Sequence, residues 1–279
     1  MTKIRIGDIK DTILFGDSMF RTLRGVEPLC NGTGNPILVT GGNSATFMVT
    51  VGEDSFALKC YTSSEPLRGE LHKVVERLPK ELIISPKFLP AELWVGGQFI
   101  DASLSPWEEG HTLDCKITGA SRRGHSAEYI PLFREFLRLA TELHNSEWRH
   151  GDLKPDNIIV GTSGKMKLVD CDNIIHPSLP PRPTRGTPHY IHPRRGEVAD
   201  IHADDYATAL IITSIAALIA KPSLFAGEPM VAMPSEGNRE IISRLLASSA
   251  PLTALHDSLY SEEYKISNLS NLLQCITHP

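Results

Sequence analysis

The chain has 279 residues, of which 41% are hydrophobic and 22% charged, and a formal net charge of −5 at pH 7. This length and composition predict one large domain or two lobes with a substantial core. The acidic balance and the lack of a Lys/Arg run argue against a nucleic-acid backbone or an anionic membrane as the main partner.

Five cysteines are scattered along the chain without a CxxC pair or the spacing of zinc ligands, which predicts reduced thiols. The first residues lack the apolar run of a secretory signal, so we expect a cytoplasmic location. The most apolar stretch, residues 206–220, is shorter than the roughly 20 residues that cross a bilayer. We therefore expect a buried helix there, and no membrane as a partner.

Short runs of β-branched and aromatic residues predict a small antiparallel sheet early in the chain. The dipeptide Gly96-Gly97 between two of these runs is typical of a two-residue hairpin turn. Strands are predicted at 36–40, 46–51, 55–61, 91–95 and 98–104, and a helix at 66–78.

The later part of the chain has helical periodicity, clearest between residues 127 and 144, where apolar side chains recur every three or four positions. We therefore divide the chain into an N-terminal arm over 1–35, a β-rich part over 36–105 and an α-rich part over 106–279. Further helices are predicted at 204–220, 235–250 and 267–276.

Residues 150–160, HGDLKPDNIIV, connect a predicted helix to an apolar strand. Phosphoryl transfer requires a carboxylate that orients the acceptor hydroxyl, a cation on the transferred phosphate and oxygen ligands for Mg²⁺. Asp152, Lys154, and the pair Asn157 and Asp170 supply these groups.

The motif HGDLKPDN, with Asp170 following Asp152 by 18 residues at the end of a predicted strand, resembles the catalytic loop and metal-binding Asp of the eukaryotic-like Ser/Thr protein kinase superfamily. The resemblance covers about residues 36–220. It implies an α+β, bilobal fold with a small β-rich N-lobe and a helical, somewhat reduced C-lobe. It also implies ATP and Mg²⁺ as cofactors, Asp152 and Lys154 as catalytic residues, and Asn157 and Asp170 as metal ligands.

The same resemblance assigns nucleotide contacts upstream of the loop. Ala57 and Lys59 resemble the kinase A-x-K motif, in which the Ala covers the adenine and the Lys grips the α- and β-phosphates. The ion-pair partner expected for Lys59 is Glu70, with Glu76 as the alternative. Glu108, in a hinge near the preceding proline, is the expected adenine contact through its main chain. The remaining expected nucleotide contacts are Gly41, Gly42, Asn43 and Ser44, in the turn that replaces the glycine-rich loop, and Ile159.

Positions 151, 171 and 172 depart from the family pattern. Most protein kinases carry Arg where Gly151 stands, and that Arg reads a phosphorylated activation loop, so we expect activity that does not require this phosphorylation. After Asp170 the usual Phe and Gly are replaced by Cys171 and Asp172. Asp172 is either a second Mg²⁺ ligand or a turn former.

Residues 186–193, GTPHYIHP, resemble the end of the activation segment of Ser/Thr protein kinases, which favours a protein substrate. Thr184 and Thr187 are candidate phosphoacceptors, although Thr187 at this motif position more often contacts the catalytic Asp. Arg194 follows where Glu is usual, so the customary salt bridge is expected to be replaced or absent. Asp204 is expected to hold the catalytic-loop backbone and to cap the following helix.

The leading interpretation is a Ser/Thr protein kinase, and several short motifs, among them WVGG and VDCDN, resemble a group of bacterial kinase-like proteins. One alternative is a small-molecule kinase similar to the aminoglycoside and choline phosphotransferases, which share the H-G-D loop. The other is a pseudokinase that binds nucleotide without transferring phosphate, which the altered glycine turn and the DCD motif favour. Slow ATP hydrolysis without phosphorylation of an acceptor would favour the pseudokinase over the two enzymes.

Overall fold

A computed structural model describes residues 4–224 and 236–277. The first three residues of the predicted arm and Ser235, the predicted start of a helix, lie outside the described residues. An antiparallel sheet dominates the earlier part of the described chain and helices the later part, so the predicted α+β class is confirmed. This arrangement is compatible with a kinase-like fold.

The described residues pack as two compact units. The first unit contains residues up to Lys80 together with 84–108, and the second contains 81–83 together with those from Glu109 onward.

The first unit is built on a six-stranded antiparallel sheet in the order β1-β3-β4-β6-β5. Strands β1 and β2 pair with different halves of β3. The elements of this unit are α1 (Ile6–Ile13), β1 (Val26–Pro28), β2 (Leu38–Thr40), β3 (Ser44–Val51), β4 (Asp54–Tyr61), α2 (Arg68–Val75), β5 (Lys87–Val95) and β6 (Gln98–Pro106).

The turn between β5 and β6 has the form that its sequence predicts. Gly96 and Gly97 have φ angles of 56° and 86°, and Val95 pairs with Gln98 across them. Two consecutive positive φ angles define a turn that matches the twist of the strands, and glycine adopts them without a steric penalty.

Helix α1 and the residues after it belong to the core of the first unit. Ile9 and Ile13 are fully buried, and Phe20 and Val26 join the same apolar cluster as Leu93 of β5. The spacing of the two isoleucines places both on one face of a short helix. The described part of the N-terminal arm therefore supplies part of the hydrophobic core.

The second unit is mainly helical, with one small antiparallel sheet in the order β7-β8-β9. Helix α5 is buried around most of its circumference, and α4, α6 and α7 pack against it. The elements are β7 (Gly110–Thr112), α3 (Leu113–Arg123), α4 (Tyr129–Asn145), β8 (Ile158–Gly161), β9 (Met166–Leu168), α5 (Asp205–Ala220), α6 (Glu236–Leu246), α7 (Ala250–Ser258) and α8 (Leu269–Thr277).

The structure corrects the prediction of one helix over residues 235–250. Helix α6 ends at Leu246, and α7 begins at Ala250 with Pro251 in its first turn. A proline lacks the N–H that a helix interior requires but is accepted in a first turn, so the chain starts a new helix there.

Within residues 4–224 and 236–277, none of the helices combines the length and the hydropathy that crossing a bilayer requires.

Candidate active site

The predicted catalytic loop lies in the second unit, between α4 and β8. Arg149, just before the loop, exchanges two backbone hydrogen bonds with Ile175, each 2.9 Å long. The residue is 5% exposed, and its guanidinium group donates to backbone carbonyls, among them those of Ser146 at 2.8 Å and Ile201 at 2.7 Å. Arg149 therefore fixes the path by which the chain enters the loop.

Asp204 binds the backbone at the start of the loop. Its carboxylate accepts hydrogen bonds from the backbone N–H groups of His150, at 2.6 Å, and Gly151, at 2.9 Å. Burial raises the pKa of this carboxyl, while His150 and the two backbone N–H groups act in the opposite direction. The predicted hold on the loop is confirmed. Asp204 also occupies the predicted N-cap position of α5, but its side chain makes no cap hydrogen bond there.

The imidazole of His150 links the loop to the strand that follows it. The residue is fully buried, and its Nε2–H donates to the carbonyl of Val169 at 2.8 Å. Its Nδ1 accepts from the backbone N–H of Asp152 at 3.3 Å. In this arrangement Nε2 is the donor and Nδ1 the acceptor, so both ring nitrogens help to fix the position of the loop.

The glycine at position 151 is required by the packing of the backbone. Gly151 has a φ of 77°, and a Cβ atom there would lie 2.1 Å from the carbonyl oxygen of Asn173. No side chain fits at that distance, so an Arg at this position is excluded unless the segment around Asn173 moves.

Asp152 lies at the centre of a network of short polar contacts. Its Oδ1 accepts two hydrogen bonds from Thr187, one from the backbone N–H at 2.7 Å and one from the hydroxyl at 3.0 Å. Its Oδ2 accepts from the side-chain amide of Asn157 at 3.2 Å and lies 3.6 Å from Nζ of Lys154. The Asp152 side chain is 11% exposed, so this carboxylate is held in one orientation.

Thr187 connects the two predicted catalytic residues. Its hydroxyl accepts a hydrogen bond from Nζ of Lys154 at 2.9 Å and donates its own proton to Asp152. The expected contact between Thr187 and the catalytic Asp is confirmed. Gly186 allows it, because a Cβ atom there would lie 3.2 Å from Oδ1 of Asp152.

The two predicted metal ligands lie beside the small sheet: Asn157 directly precedes β8, and Asp170 lies two residues after the end of β9. The backbone N–H of Val169 donates to the carbonyl of Asn157 at 2.9 Å, and Asp170 comes next in the chain. The amide nitrogen of Asn157 donates to the Asp152 carbonyl at 2.9 Å, which leaves its amide oxygen as the ligand atom. Amide and carboxylate oxygens are hard ligands of the type that Mg²⁺ prefers, so the donor set fits this ion.

Asp170 has a left-handed backbone conformation, with φ 61° and ψ 62°. Aspartate tolerates this region better than most residues, and such conformations concentrate at functional sites. The residue is exposed and is followed by a 3₁₀ turn over Cys171–Asn173. Asp172 lies in this turn, and its carbonyl accepts a hydrogen bond from Arg182 at 3.0 Å.

The first unit carries the predicted A-x-K motif on β4. Ala57 and Lys59 are both half-buried, and Lys59 pairs with Thr46 on β3 and Ser103 on β6. The ammonium of Lys59 lies 5.6 Å from the centre of the Tyr61 ring. Both residues of the motif are therefore in the middle of the sheet.

Glu70, the expected partner of Lys59, lies on α2 with 61% of its side chain exposed. Its carboxylate accepts a hydrogen bond from Lys73 of the same helix at 2.9 Å. The pairing of Lys59 with Glu70 stays a prediction, as does the alternative with Glu76, which directly follows α2.

The remaining predicted nucleotide contacts lie at strand ends or within strands. The predicted glycine turn is closed by a hydrogen bond from the Gly41 N–H to the Ser44 carbonyl at 2.9 Å. Asn43 accepts from the backbone N–H of Thr62 at 2.9 Å. Glu108 follows the end of β6 and is half-buried, Ile159 is half-buried on β8, and Gly42 is exposed in the turn.

No family model matches this chain. Over 125 residues it is 30% identical to a protein named "Probable serine/threonine-protein kinase PknB" from Lactococcus lactis subsp. lactis (strain IL1403). The matched part is 43% of this chain and 20% of that protein. This similarity supports a kinase-like relationship. The chain thus matches only about one fifth of the length of the curated relative.

Proposed function

We propose that this chain is an ATP- and Mg²⁺-dependent phosphotransferase, and specifically a protein kinase that transfers the γ-phosphoryl group of ATP to a Ser or Thr hydroxyl. The observation that carries this proposal is the network at Asp152, in which Lys154, Asn157 and Thr187 all contact one carboxylate. The kinase-like relative supports the same reaction class.

Asp152 acts on the acceptor hydroxyl. Its carboxylate orients the hydroxyl and takes its proton as the bond from the hydroxyl oxygen to the γ-phosphorus forms and the bond from that phosphorus to ADP breaks. Hydrogen bonds from Thr187 and Asn157 hold the carboxylate in place before the acceptor arrives. Catalysis in this reaction class depends mainly on such positioning and on electrostatic stabilisation.

Cationic and main-chain groups bind the nucleotide in this proposal. Lys154 neutralises charge on the transferred group, and Lys59 binds the α- and β-phosphates. Asn157 and Asp170 would hold Mg²⁺, which supplies positive charge to the phosphates. The other nucleotide contacts that we propose are the backbone of Gly41, Gly42, Asn43 and Ser44, the main chain of Glu108, the side chains of Ala57 and Ile159, and Glu70 as the partner of Lys59.

Of the two classes of phosphoacceptor, protein or small molecule, the contacts around Thr187 favour a protein. Thr187 belongs to the segment GTPHYIHP and contacts both Asp152 and Lys154. The sequence feature that favours a small-molecule acceptor is Gly151, but its close approach to Asn173 accounts for that glycine without reference to the substrate. We therefore propose a protein that carries a Ser or Thr hydroxyl as the partner.

A panel of acceptors tests the proposal. The full chain is incubated with Mg²⁺ and ATP labelled on the γ-phosphate, and with either a mixed protein substrate, an aminoglycoside, choline or no acceptor. We expect label on protein, recovered as phosphoserine or phosphothreonine after hydrolysis. Label on a small molecule alone would contradict the protein kinase, and nucleotide binding without transfer to any acceptor would contradict the phosphotransferase.

A further inference from the structure

A buried carboxylate on β5 anchors the N-terminal arm to the sheet. Glu92 is 1% exposed, and its carboxylate accepts hydrogen bonds from the Thr22 N–H at 2.8 Å, the Thr22 hydroxyl at 2.6 Å and the Leu23 N–H at 2.7 Å. The backbone of Arg21 adds a bond to the Glu92 carbonyl at 2.8 Å. A buried carboxylate that loses such partners is strongly destabilised, so the position of Glu92 depends on the arm.

Glu92 lies in a β-bulge, where the pairing of β5 with β6 shifts register between Leu89 and Leu93. Ala91, at its centre, has a φ of 48°, which is unfavourable for a residue with a Cβ atom. The backbone N–H of Ala91 donates to Oδ1 of Asp101 on β6 at 2.9 Å. Asp101 therefore stabilises the strained conformation that aims Glu92 at the arm.

Asp101 also binds helix α2. Its Oδ2 accepts a hydrogen bond from the guanidinium of Arg68, the first residue of α2, at 2.9 Å. The Arg68 side chain is 8% exposed, donates to the Ser63 carbonyl at 2.9 Å and lies 3.9 Å above the ring of Tyr61. One carboxylate thus contacts both the bulge and the start of α2.

The Tyr61 ring connects this cluster with Lys59. The Tyr61 hydroxyl lies 3.3 Å from Nε2 of His72 on α2 and 3.2 Å from the hydroxyl of Ser103 on β6. Ser103 is the residue that pairs with Lys59 across the two strands. A shift of α2 therefore changes the surroundings of Lys59 through Tyr61, although Glu70 lies on the exposed face of the helix.

We propose that Asp101 is a positioning residue that fixes α2 beside Lys59, and that the N-terminal arm acts on α2 through Glu92 and Asp101. The consequence for nucleotide binding rests on the proposed function, whereas the coupling between the arm and α2 does not. In this proposal the arm holds α2 in the position that favours nucleotide binding, and a change at Thr22 reaches α2 through Glu92 and Asp101.

Hydrogen exchange of the backbone amides in α2 tests the coupling in the full chain. The variant Thr22→Val removes the hydroxyl donor to Glu92, Thr22→Ser keeps it, and Thr33→Val is the control, since Thr33 makes only local contacts with Asn31 and Asn35. We expect Thr22→Val to accelerate exchange in α2 by about tenfold. Thr22→Ser and Thr33→Val should match the wild type. Unchanged exchange in Thr22→Val would overturn the coupling.

Calorimetric titration with Mg²⁺ and ATP tests the positioning role. Asp101→Asn should weaken nucleotide binding by about tenfold, because it removes the charge that holds Arg68. The control Glu128→Gln, which removes the carboxylate of an Arg pair in the second unit, should bind like the wild type. Equal affinity in Asp101→Asn and wild type would overturn the role. If the wild type binds no nucleotide, the proposed function fails, and the exchange of α2 in Thr22→Val and Asp101→Asn still decides the coupling.

Discussion

Thr187 donates two hydrogen bonds to a single carboxylate oxygen of Asp152, although 35 residues separate the two in the chain. The same hydroxyl accepts from Lys154 at 2.9 Å. One threonine thus fixes the relative positions of the two residues that we propose for catalysis. It also joins the predicted catalytic loop to the segment GTPHYIHP, so a displacement of that segment would disturb the contacts around Asp152.

Replacing Thr187 with Val removes the hydroxyl that bridges Lys154 and Asp152 while keeping the shape of the side chain. We expect turnover to fall by at least about tenfold, because the hydroxyl makes two hydrogen bonds to charged groups and about 1.4 kcal/mol corresponds to a factor of ten. Thr187→Ser, which keeps the hydroxyl, should retain most of the activity. Steady-state phosphotransfer kinetics measure the turnover of both variants. A Thr187→Val variant as active as the wild type would contradict a role of the Thr187 hydroxyl in positioning Asp152 and Lys154.

Gly151 is predicted to tolerate no side chain. In Gly151→Ala the new Cβ atom meets the Asn173 carbonyl at 2.1 Å, and we expect a loss of at least about 2 kcal/mol in the free energy of unfolding. Gly164→Ala is the matched control, because Gly164 has a similar φ of 83° but no atom within 4 Å of the added Cβ. It should cost only about 1 kcal/mol. Urea denaturation of both variants measures the difference, and equal losses would contradict the steric argument.

Buried histidines make the folded state sensitive to acid. His256 on α7 is 1% exposed, and among the described residues neither of its ring nitrogens has a hydrogen-bond partner. Burial lowers the pKa of His256, while Asp257 raises this pKa and Arg239 of α6 lowers it. The ring of Tyr260 packs edge-on against the His256 ring. Burial likewise lowers the pKa of His144 and of His192.

The sign of the pH dependence follows from these shifts. The unfolded chain binds protons at each histidine near pH 6.5, before the folded chain does, so stability is full above that pH and falls as the pH drops below it. His256→Phe should make the fall less steep between about pH 7 and pH 5. Melting temperatures between about pH 7 and pH 5 measure this dependence. If the melting temperature of His256→Phe fell as steeply with pH as that of the wild type, His256 would not be a cause of the acid sensitivity.

Arg194, which stands where Glu is usual in the kinase motif, forms a salt bridge with Glu262. Its guanidinium binds the carboxylate of Glu262 through two contacts, at 2.6 Å and 2.8 Å. The expected glutamate is thus replaced by an arginine, and its partner is acidic. Both side chains are more than half exposed, which limits the strength of the pair.

A double-mutant cycle measures this pair. We expect a coupling between Arg194→Ala and Glu262→Ala of about 0.2–1 kcal/mol in the free energy of unfolding, weaker at high salt. The exchanged pair Arg194→Glu with Glu262→Arg should restore most of the stability that either single change removes. Additive single effects at low salt would show that the contact contributes nothing.

The sequence predicts the residues within the predicted catalytic loop better than it predicts the distant residues that contact this loop. The residues from His150 to Asn157 are adjacent in the chain, so their spacing already indicates a site with a carboxylate, a cation and an amide. The hold of Asp204 on the loop and the contact of Thr187 with Asp152 cross 35 to 54 residues, and only the resemblance to kinases indicated them. Contacts between residues so far apart in the chain are set by tertiary packing, and the hydrophobic periodicity within a short segment does not indicate them.

Some features had a local signal that the sequence analysis missed. Helix α3 starts after Thr112, whose hydroxyl accepts from the Cys115 N–H at 3.2 Å, and ends at Gly124 in the left-handed conformation. A capping threonine and a terminal glycine are ordinary helix boundaries. The apolar residues of α1 likewise follow helical spacing, and Asp8 accepts from the Arg5 N–H at 2.8 Å at its start.

Other features had no such signal. Glu92 lies in a predicted strand among apolar neighbours, and nothing in the local pattern shows that an arm some 70 residues earlier covers its carboxylate. The bulge at Ala91 and the two hydrogen bonds that Asp101 accepts depend on the packing of β5, β6 and α2 against one another. These interactions are the ones on which the proposed coupling of the arm to α2 depends.

The most direct test of the central claim compares two carboxylates of the same loop in a single-turnover phosphotransfer assay with Mg²⁺ and γ-labelled ATP. Asp152 has 11% of its side chain exposed and is held by Thr187 and Asn157, whereas Asp156 is exposed. We predict that Asp152→Asn slows transfer by at least about 100-fold, and that Asp156→Asn changes it by no more than about twofold. Transfer by Asp152→Asn at the wild-type rate would contradict the account.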